Sequence, residues 1–91
     1  PVINFERLQQ IRNAVDVPLV LHGGSSSGDE NLARCAREGI SKINVFTDIV
    51  TAALEAVKNS DSKDWFELLK ISDEAVKDVL RHYYHICNCV K

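Results

Sequence analysis

The sequence predicts an α/β fold in which two βα units form a parallel sheet and further helices follow at the C-terminal end. Two strand candidates, residues 19–21 and 40–45, alternate with segments whose apolar residues recur at helical spacing. The first candidate, Leu19-Val20-Leu21, is continuously apolar, which is typical of a strand buried on both faces of a parallel sheet. Since two strands alone make a poor sheet, we expect the 91 residues to be a slice of a larger α/β structure.

The first helix is predicted from Leu8, Ile11 and Val15, whose spacings of three and four place them on one face. Asn4 is its predicted N-cap, because an asparagine side chain can accept a hydrogen bond from an unpaired N–H of the first turn. The helix is expected to end before Pro18, since the residue that precedes a proline is pushed out of the α region.

The second helix follows the first strand candidate and is predicted over roughly residues 30–38. Asp29 is its expected cap, and Gly39 fits the C-terminal stop. We expect Cys35 to be a small core residue rather than a nucleophile. The apolar positions of this helix are Leu32, Cys35 and Ala36.

Two further helical regions complete the pattern. The third helix is predicted to begin at a cap formed by Thr47 or Asp48. After a polar break, Trp65 and Phe66 are expected to anchor a short apolar cluster of one or two turns, and Ser72 to cap the last helix. The expected apolar stripes are Ile49, Ala52, Ala53, Ala56 and Val57 in the third helix and Val76, Val79, Leu80, Tyr83 and Ile86 in the last.

Length, charge and composition narrow the class of protein. Residues 1–91 make one domain, with two βα units over about 1–58 and a helical extension over about 62–87. The net charge of −2 argues against a nucleic-acid partner, and the lack of an apolar run of about 18 residues argues against a membrane span. Three cysteines are too few for a disulfide framework and no signal peptide is visible, so we expect a reduced, cytoplasmic protein.

Polar residues follow the first strand candidate, and sites in α/β folds collect at the carboxyl ends of strands. His22 comes directly after the strand, where a neutral imidazole could bind zinc; the alternative is a histidine that only hydrogen-bonds a neighbouring loop. Gly23, Gly24 and Ser25 could form an anion nest of backbone N–H groups; the alternative is a flexible connector.

The second strand candidate ends in residues 44–47 and passes immediately into a helix. The N–H groups of Phe46 and Thr47 are therefore suited to bind phosphate, although an ordinary N-cap is the alternative. Parallel neighbours would bring the two strand ends to about 5 Å from each other. We therefore expect one cavity in which a phosphate bridges the N–H groups of Gly24 and Ser25 to those two N–H groups, with the imidazole pointing in.

Taken together, the two segments resemble a known family. His-Gly-Gly-Ser at residues 22–25, followed by Lys-Ile-Asn-Val-x-Thr-Asp at residues 42–48, is similar to the zinc-dependent class II ketose-bisphosphate aldolases. The resemblance runs from about Asn4 through Asp48. Residues 5–25 are similar to the family's penultimate βα unit and residues 39–45 to its final strand.

The resemblance implies both a fold and a reaction. The fold is a (β/α)₈ barrel of roughly 250 residues, of which this chain would be a partial TIM barrel from the C-terminal third. The reaction is the reversible cleavage of a ketose 1,6-bisphosphate to dihydroxyacetone phosphate and an aldehyde, glyceraldehyde 3-phosphate. The substrate would be the bisphosphate of fructose or tagatose, or a related ketose phosphate. The implied cofactor is Zn²⁺, a Lewis acid that polarises the ketone.

The resemblance also implies roles for individual residues. His22 would be one of three histidine ligands of the zinc. Asn44 would reach the ketose oxygens, while both strand-end loops would hold the phosphate, the second mainly by backbone N–H groups. The residues implied to bind dihydroxyacetone phosphate are Gly23, Gly24, Ser25, Asn44, Val45, Phe46 and Thr47.

The remaining machinery of the family belongs to earlier strands. No residue of this chain corresponds to the other two zinc histidines or to the proton-transfer acid, so no catalytic residue is assigned and the isolated 91 residues are expected to be inactive. The alternative function is a phosphate-binding or assembly fragment without turnover. Apolar strands with unpaired edges predict a homo-oligomer, or a fold completed by further N-terminal chain.

A second group of metal-binding residue types lies near the C-terminal end, at His82, His85, Cys87 and Cys89. A helical histidine pair with two thiolates could bind zinc. The tight Cys-x-Cys spacing favours the alternative, a surface helix with a frayed end. The pattern of residues 87–91 predicts no particular structure.

Overall fold

Strands and helices alternate along the chain in the predicted order. The computed structural model describes residues 2–89, and Pro1, Val90 and Lys91 lie outside the described residues. The elements are helix α1 (Phe5–Ala14), strand β1 (Leu19–Leu21), helix α2 (Asp29–Glu38), strand β2 (Ile40–Ile43), helix α3 (Thr47–Lys58) and helix α4 (Trp65–Ile86). A short 3₁₀ turn, Gly24–Ser26, lies between β1 and α2. The α/β class predicted from the sequence is confirmed.

The two strands pair in parallel, as predicted. Leu19 lies opposite Ile40 and Leu21 opposite Ile43, with an irregularity between Leu19 and Val20. Strand β2 ends two residues earlier than predicted. Pairing nevertheless continues past its end, because the Asn44 N–H donates to the Leu21 carbonyl oxygen at 3.0 Å.

The burial of the strands differs from the prediction. Val20 is 45% exposed, and Leu19 and Leu21 are only half-buried. The prediction of strands buried on both faces is therefore wrong for this chain, because within residues 2–89 the sheet has two strands and helices cover it incompletely. The tightest packing lies on α2, where Leu32 and Cys35 are each 1% exposed. This confirms Cys35 as a core residue, and burial raises the pKa of its thiol.

Helix α1 begins as the sequence predicts. The Asn4 side chain accepts a hydrogen bond from the Arg7 N–H at 2.9 Å. Of the three residues on its predicted apolar face, Leu8 is buried, whereas Ile11 and Val15 are 42% and 40% exposed. Ile11 on α1 and Val15, the extended C-cap residue that follows the helix, are therefore both partly exposed apolar residues.

Helix α2 begins one residue before the expected start, and α3 begins one or two residues before it, depending on which of the two predicted caps is taken. Their N-caps are Gly28 and Phe46, so the predicted caps Asp29, Thr47 and Asp48 lie inside the first turns. The reason is that the two acids have partners on another helix. Asp29 bonds to a ring nitrogen of His82, and Asp48 accepts a hydrogen bond from a tyrosine hydroxyl, both on α4.

Helix α4 is one continuous helix of 22 residues, which corrects two predictions. Ser72 lies in its interior, and Asp64 caps the helix by accepting from the Phe66 N–H at 3.1 Å. Trp65 and Phe66 are 66% and 80% exposed, so they do not anchor packing. The helix persists because it packs along α3. Across residues 2–89, no helix is both long enough and apolar enough to cross a membrane.

Candidate functional site

The loops that follow β1 and β2 lie side by side and are joined by backbone hydrogen bonds. The Gly24 N–H donates to the Asn44 carbonyl oxygen at 2.9 Å, next to the bond between Asn44 and Leu21. The ends of the two strands therefore meet at one edge of the sheet, which confirms the predicted adjacency.

Both glycines of the first loop are required, for different reasons. Gly23 has φ +66°, the left-handed conformation that favours glycine. Gly24 has no space for a side chain, since a Cβ atom would lie 2.6 Å from Cγ2 of Ile43 and 3.0 Å from the carbonyl oxygen of Asn44. Gly23 thus turns the chain, and Gly24 lets the two loops approach.

One of the four N–H groups predicted to bind the phosphate is not available. The N–H of Gly24 is already bonded to Asn44, so it is not available to a phosphate. The N–H groups of Ser25, Phe46 and Thr47 have no backbone or side-chain acceptor among residues 2–89. Three donors, one from the first loop and two at the start of α3, therefore remain for an anion.

A cavity of about 230 Å³ opens where the two loops meet. It has room for a phosphate, and the side chain of Phe46 at its mouth is 72% exposed. Among the described residues its lining holds one carboxylate and no lysine or arginine. The lining residues are Gly23, Ser25, Ser26, Asn44, Phe46, Thr47 and Asp48.

His22 lies at the rim of this cavity, in contact with its lining residue Asn44, and is not itself among the lining residues; the predicted direction of the imidazole stays a prediction. Its Nδ1 atom is 2.9 Å from the side-chain nitrogen of Asn44. A half-turn of the amide exchanges its oxygen and nitrogen, so this contact can hold the ring with either ring nitrogen protonated. In the arrangement in which Nδ1 donates to the amide oxygen of Asn44, the exposed ring leaves the lone pair of Nε2 for a metal ion.

His22 can supply only part of a metal centre. Residues 2–89 contain no group of three or more histidine, cysteine, aspartate or glutamate side chains placed to hold an ion. The C-terminal candidates do not form one either, because His82 is bonded through Nε2 to Asp29 at 2.8 Å. Any further ligands of a metal bound at His22 would have to come from protein outside residues 2–89.

Val45 lies apart from the other predicted phosphate-binding residues. It lines a second cavity of about 210 Å³, where its neighbours include Leu80 and Tyr84 of α4. The role predicted for Val45 concerns its backbone N–H and stays a prediction.

Two polar residues at the site were not predicted from the sequence: Asp48 and Tyr83. Tyr83 is 7% exposed, and its hydroxyl donates to Oδ2 of Asp48. Burial raises the pKa of Tyr83 to about 12, the bond to Asp48 and its negative charge add to the rise, and a hydrogen bond from Ser25 opposes it. The sequence did offer one sign of this contact: Tyr83 stands on the predicted apolar stripe of the last helix, and a buried tyrosine needs a partner for its hydroxyl.

The fold and the cavity together define an α/β protein with a cavity at the carboxyl ends of its parallel strands, where sites in α/β folds collect. The family model described as "Fructose-bisphosphate aldolase class-II" matches residues 1–91. The chain therefore belongs to the class II fructose-bisphosphate aldolase family, as the resemblance indicated.

A solved structure supports the same assignment. The fold is similar to the X-ray crystal structure of the YdjI aldolase from Escherichia coli K12, with a TM-score of 0.88 and 36% sequence identity. The match covers 94% of this chain and 34% of that aldolase, so the chain spans about a third of its length.

Proposed function

We propose that this chain supplies the C-terminal part of a zinc-dependent class II aldolase. The reaction is the reversible cleavage of fructose or tagatose 1,6-bisphosphate to dihydroxyacetone phosphate and glyceraldehyde 3-phosphate. The observation that carries the proposal is the single cavity formed by the glycine loop after β1 and the start of α3, with His22 at its rim. Membership of the aldolase family supports the class of reaction.

The two loops would bind the phosphate of dihydroxyacetone phosphate. The N–H groups of Ser25, Phe46 and Thr47 would donate to its oxygens, and the hydroxyls of Ser25 and Thr47 would add neutral hydrogen bonds. The positive end of the α3 dipole contributes about 0.3–1 kcal/mol. With no basic side chain in the described lining, the backbone rather than an ion pair would fix the pose of the substrate.

His22 and Asn44 would act beside the reacting carbons. His22 would be one of the zinc ligands, with Asn44 fixing the orientation of its ring. When bound, zinc would polarise the ketone carbonyl as a Lewis acid. Asn44 also lines the cavity, which supports the role proposed for its amide, a hydrogen bond to the ketose oxygens next to the phosphate.

The remaining zinc ligands and the proton-transfer acid would come from the rest of a (β/α)₈ barrel. The coverage of only 34% of the YdjI aldolase supports this division. The outward-facing Val20 and the half-buried strands also fit a sheet continued by further strands or by a second copy. A cytoplasmic location is supported by the free thiols of Cys35, Cys87 and Cys89.

The proposal is tested with the complete protein that contains this chain. It should cleave fructose or tagatose 1,6-bisphosphate at an ordinary enzymatic rate of about 1 s⁻¹ or more. A chelator should remove that activity, and added Zn²⁺ should restore it. The isolated 91 residues, assayed in parallel, should show no turnover, because residues 2–89 contain no complete ligand set. Cleavage that survives full removal of metal, or no cleavage of either sugar, would contradict the proposal.

A further inference from the structure

Helix α4 contacts the starts of both helices that follow the site loops, through two consecutive side chains. His82 bonds through Nε2 to Oδ2 of Asp29 in the first turn of α2, at 2.8 Å. Tyr83 donates its hydroxyl to Oδ2 of Asp48 in the first turn of α3. The two rings pack edge to face, with their centroids 5.7 Å apart.

The contact made by Tyr83 reaches the phosphate cavity directly. Asp48 is one of the lining residues and follows Thr47, a proposed phosphate donor. The backbone N–H of Asp48 also lies 3.5 Å from Oγ of Ser25, in the glycine loop. Tyr83, Asp48 and Ser25 therefore link α4, α3 and the first loop around one anion site.

The charge of Asp48 makes this link important. An ionised carboxylate beside a phosphate dianion is repulsive, and the repulsion depends on where the carboxylate lies. The Tyr83 hydroxyl holds one of its oxygens, and Tyr83 is itself fixed by burial at 7% exposure. Without that donor the carboxylate would be free to turn toward the cavity, and Ser25 would lose a neighbour.

We propose that Tyr83 is a positioning residue of the phosphate site, acting through Asp48 to hold Ser25 and Thr47 at the spacing that binds a phosphate. The inference rests on the proposed function, because it assigns Tyr83 to the same site. Tyr83 is absent from the lining of the cavity and would not touch the bound phosphate. Its loss should weaken phosphate binding while leaving the metal site at His22 intact.

The test compares Tyr83→Phe with Tyr84→Phe in the complete enzyme. Tyr84 is the adjacent residue on α4 and is 48% exposed, so its variant is a matched control. In Tyr83→Phe, the KM for the bisphosphate and the inhibition constant of inorganic phosphate should each rise about tenfold, or about 1.4 kcal/mol. The kcat and the zinc content should change by less than about twofold, since the reacting carbons and the metal are not touched.

A double-mutant cycle tests whether Tyr83 acts through Asp48. Asp48→Ala removes the acceptor, so adding Tyr83→Phe to it should cause no further rise in the inhibition constant of phosphate. Additive effects of the two changes would overturn the inference. So would an unchanged KM, or equal losses in kcat and kcat/KM, in Tyr83→Phe.

A measurement on the unmodified protein covers the case in which a variant fails to fold. Titration with inorganic phosphate should shift the ring resonances of labelled Tyr83 and leave those of Tyr84 in place. No shift at Tyr83 in a protein that binds phosphate would overturn the inference while the proposed function stands. If the unmodified enzyme neither binds phosphate nor turns over, the proposed function fails and the inference fails with it.

Discussion

The two ends of α4 are built from similar apolar and aromatic residues but have opposite environments. At the amino end, Trp65 and Phe66 are 66% and 80% exposed. At the carboxyl end, Tyr83 is 7% exposed and bonded to Asp48 beside the phosphate cavity. Apolar character alone therefore does not decide which aromatic residues of α4 are buried, and Tyr83 is buried where its hydroxyl reaches the first turn of α3. The difference divides the molecule into a site end with defined polar contacts and a distal end whose side chains face outward.

The largest effect is expected at the site end, from His22→Ala in the complete enzyme. Loss of one zinc ligand should abolish turnover and reduce zinc content while leaving the fold largely intact, because the ring is exposed and makes one polar contact. Metal analysis and a turnover assay check this. His85→Ala is the matched control, since His85 is an exposed histidine outside the site. Zinc and turnover retained in His22→Ala would show that His22 is not a ligand.

Gly24→Ala and Gly23→Ala separate close approach from backbone conformation within the first loop. Gly24→Ala should lower the free energy of unfolding by about 1–3 kcal/mol, because its Cβ meets both a side chain and a carbonyl. Gly23→Ala should cost about 1–2 kcal/mol from φ alone, since nothing lies within 4 Å of its Cβ. Urea denaturation measures both, and phosphate inhibition should weaken more in Gly24→Ala. Phosphate inhibition that weakens more in Gly23→Ala than in Gly24→Ala would contradict the close packing of the two loops.

Alkaline pH should weaken the contact at the site end of α4. The pKa of Tyr83 is raised from 10.0 to about 12 in the folded chain, so the unfolded state loses the tyrosine proton first as pH rises. The contribution of Tyr83 to stability should therefore be complete below pH 10.0 and fall as pH rises through about 12. Urea denaturation at a series of pH values should show this fall, and Tyr83→Phe should remove its Tyr83 component. Identical pH profiles for the two proteins would exclude the shift.

The smallest effect is expected at the distal end. Phe66→Ser should change the free energy of unfolding by no more than about 0.5 kcal/mol, because the side chain is 80% exposed. The same denaturation experiment measures it, with Tyr83→Phe as the comparison at the other end of α4. A loss from Phe66→Ser as large as that from Tyr83→Phe would show that the distal end is packed in solution and would remove the contrast between the two ends.

Local signals in the sequence account for the elements that were predicted correctly. Asn4 caps α1 through a bond to a residue three positions away, and Gly39 follows the last residue of α2. The parallel pairing of β1 with β2 follows from the alternation of strands and helices. The prediction that Ser72 caps the last helix was wrong because a serine is tolerated inside a helix that is stabilised by packing. The packing of α4 on α3 joins distant parts of the chain, so the local sequence around Ser72 does not reveal it.

The candidate site was predictable only where its residues are close along the chain. The residues of 22–25 and 44–47 stand next to the two strand ends, and all but His22, Gly24 and Val45 line one cavity. The bond between Asp48 and Tyr83 joins residues 35 positions apart, so no motif or period contains it. The engagement of the Gly24 N–H by Asn44 was also hidden, because it depends on how closely the two loops approach.

In the proposed enzyme, the two strand-end loops bind the phosphate of the substrate beside a metal held by His22. A crystal structure of the complete enzyme with Zn²⁺ and dihydroxyacetone phosphate tests this arrangement most directly. We expect the phosphate within hydrogen-bond distance of the N–H groups of Ser25 and Thr47, with anomalous scattering placing zinc on a ring nitrogen of His22. A phosphate bound elsewhere, or zinc without His22 among its ligands, would contradict it.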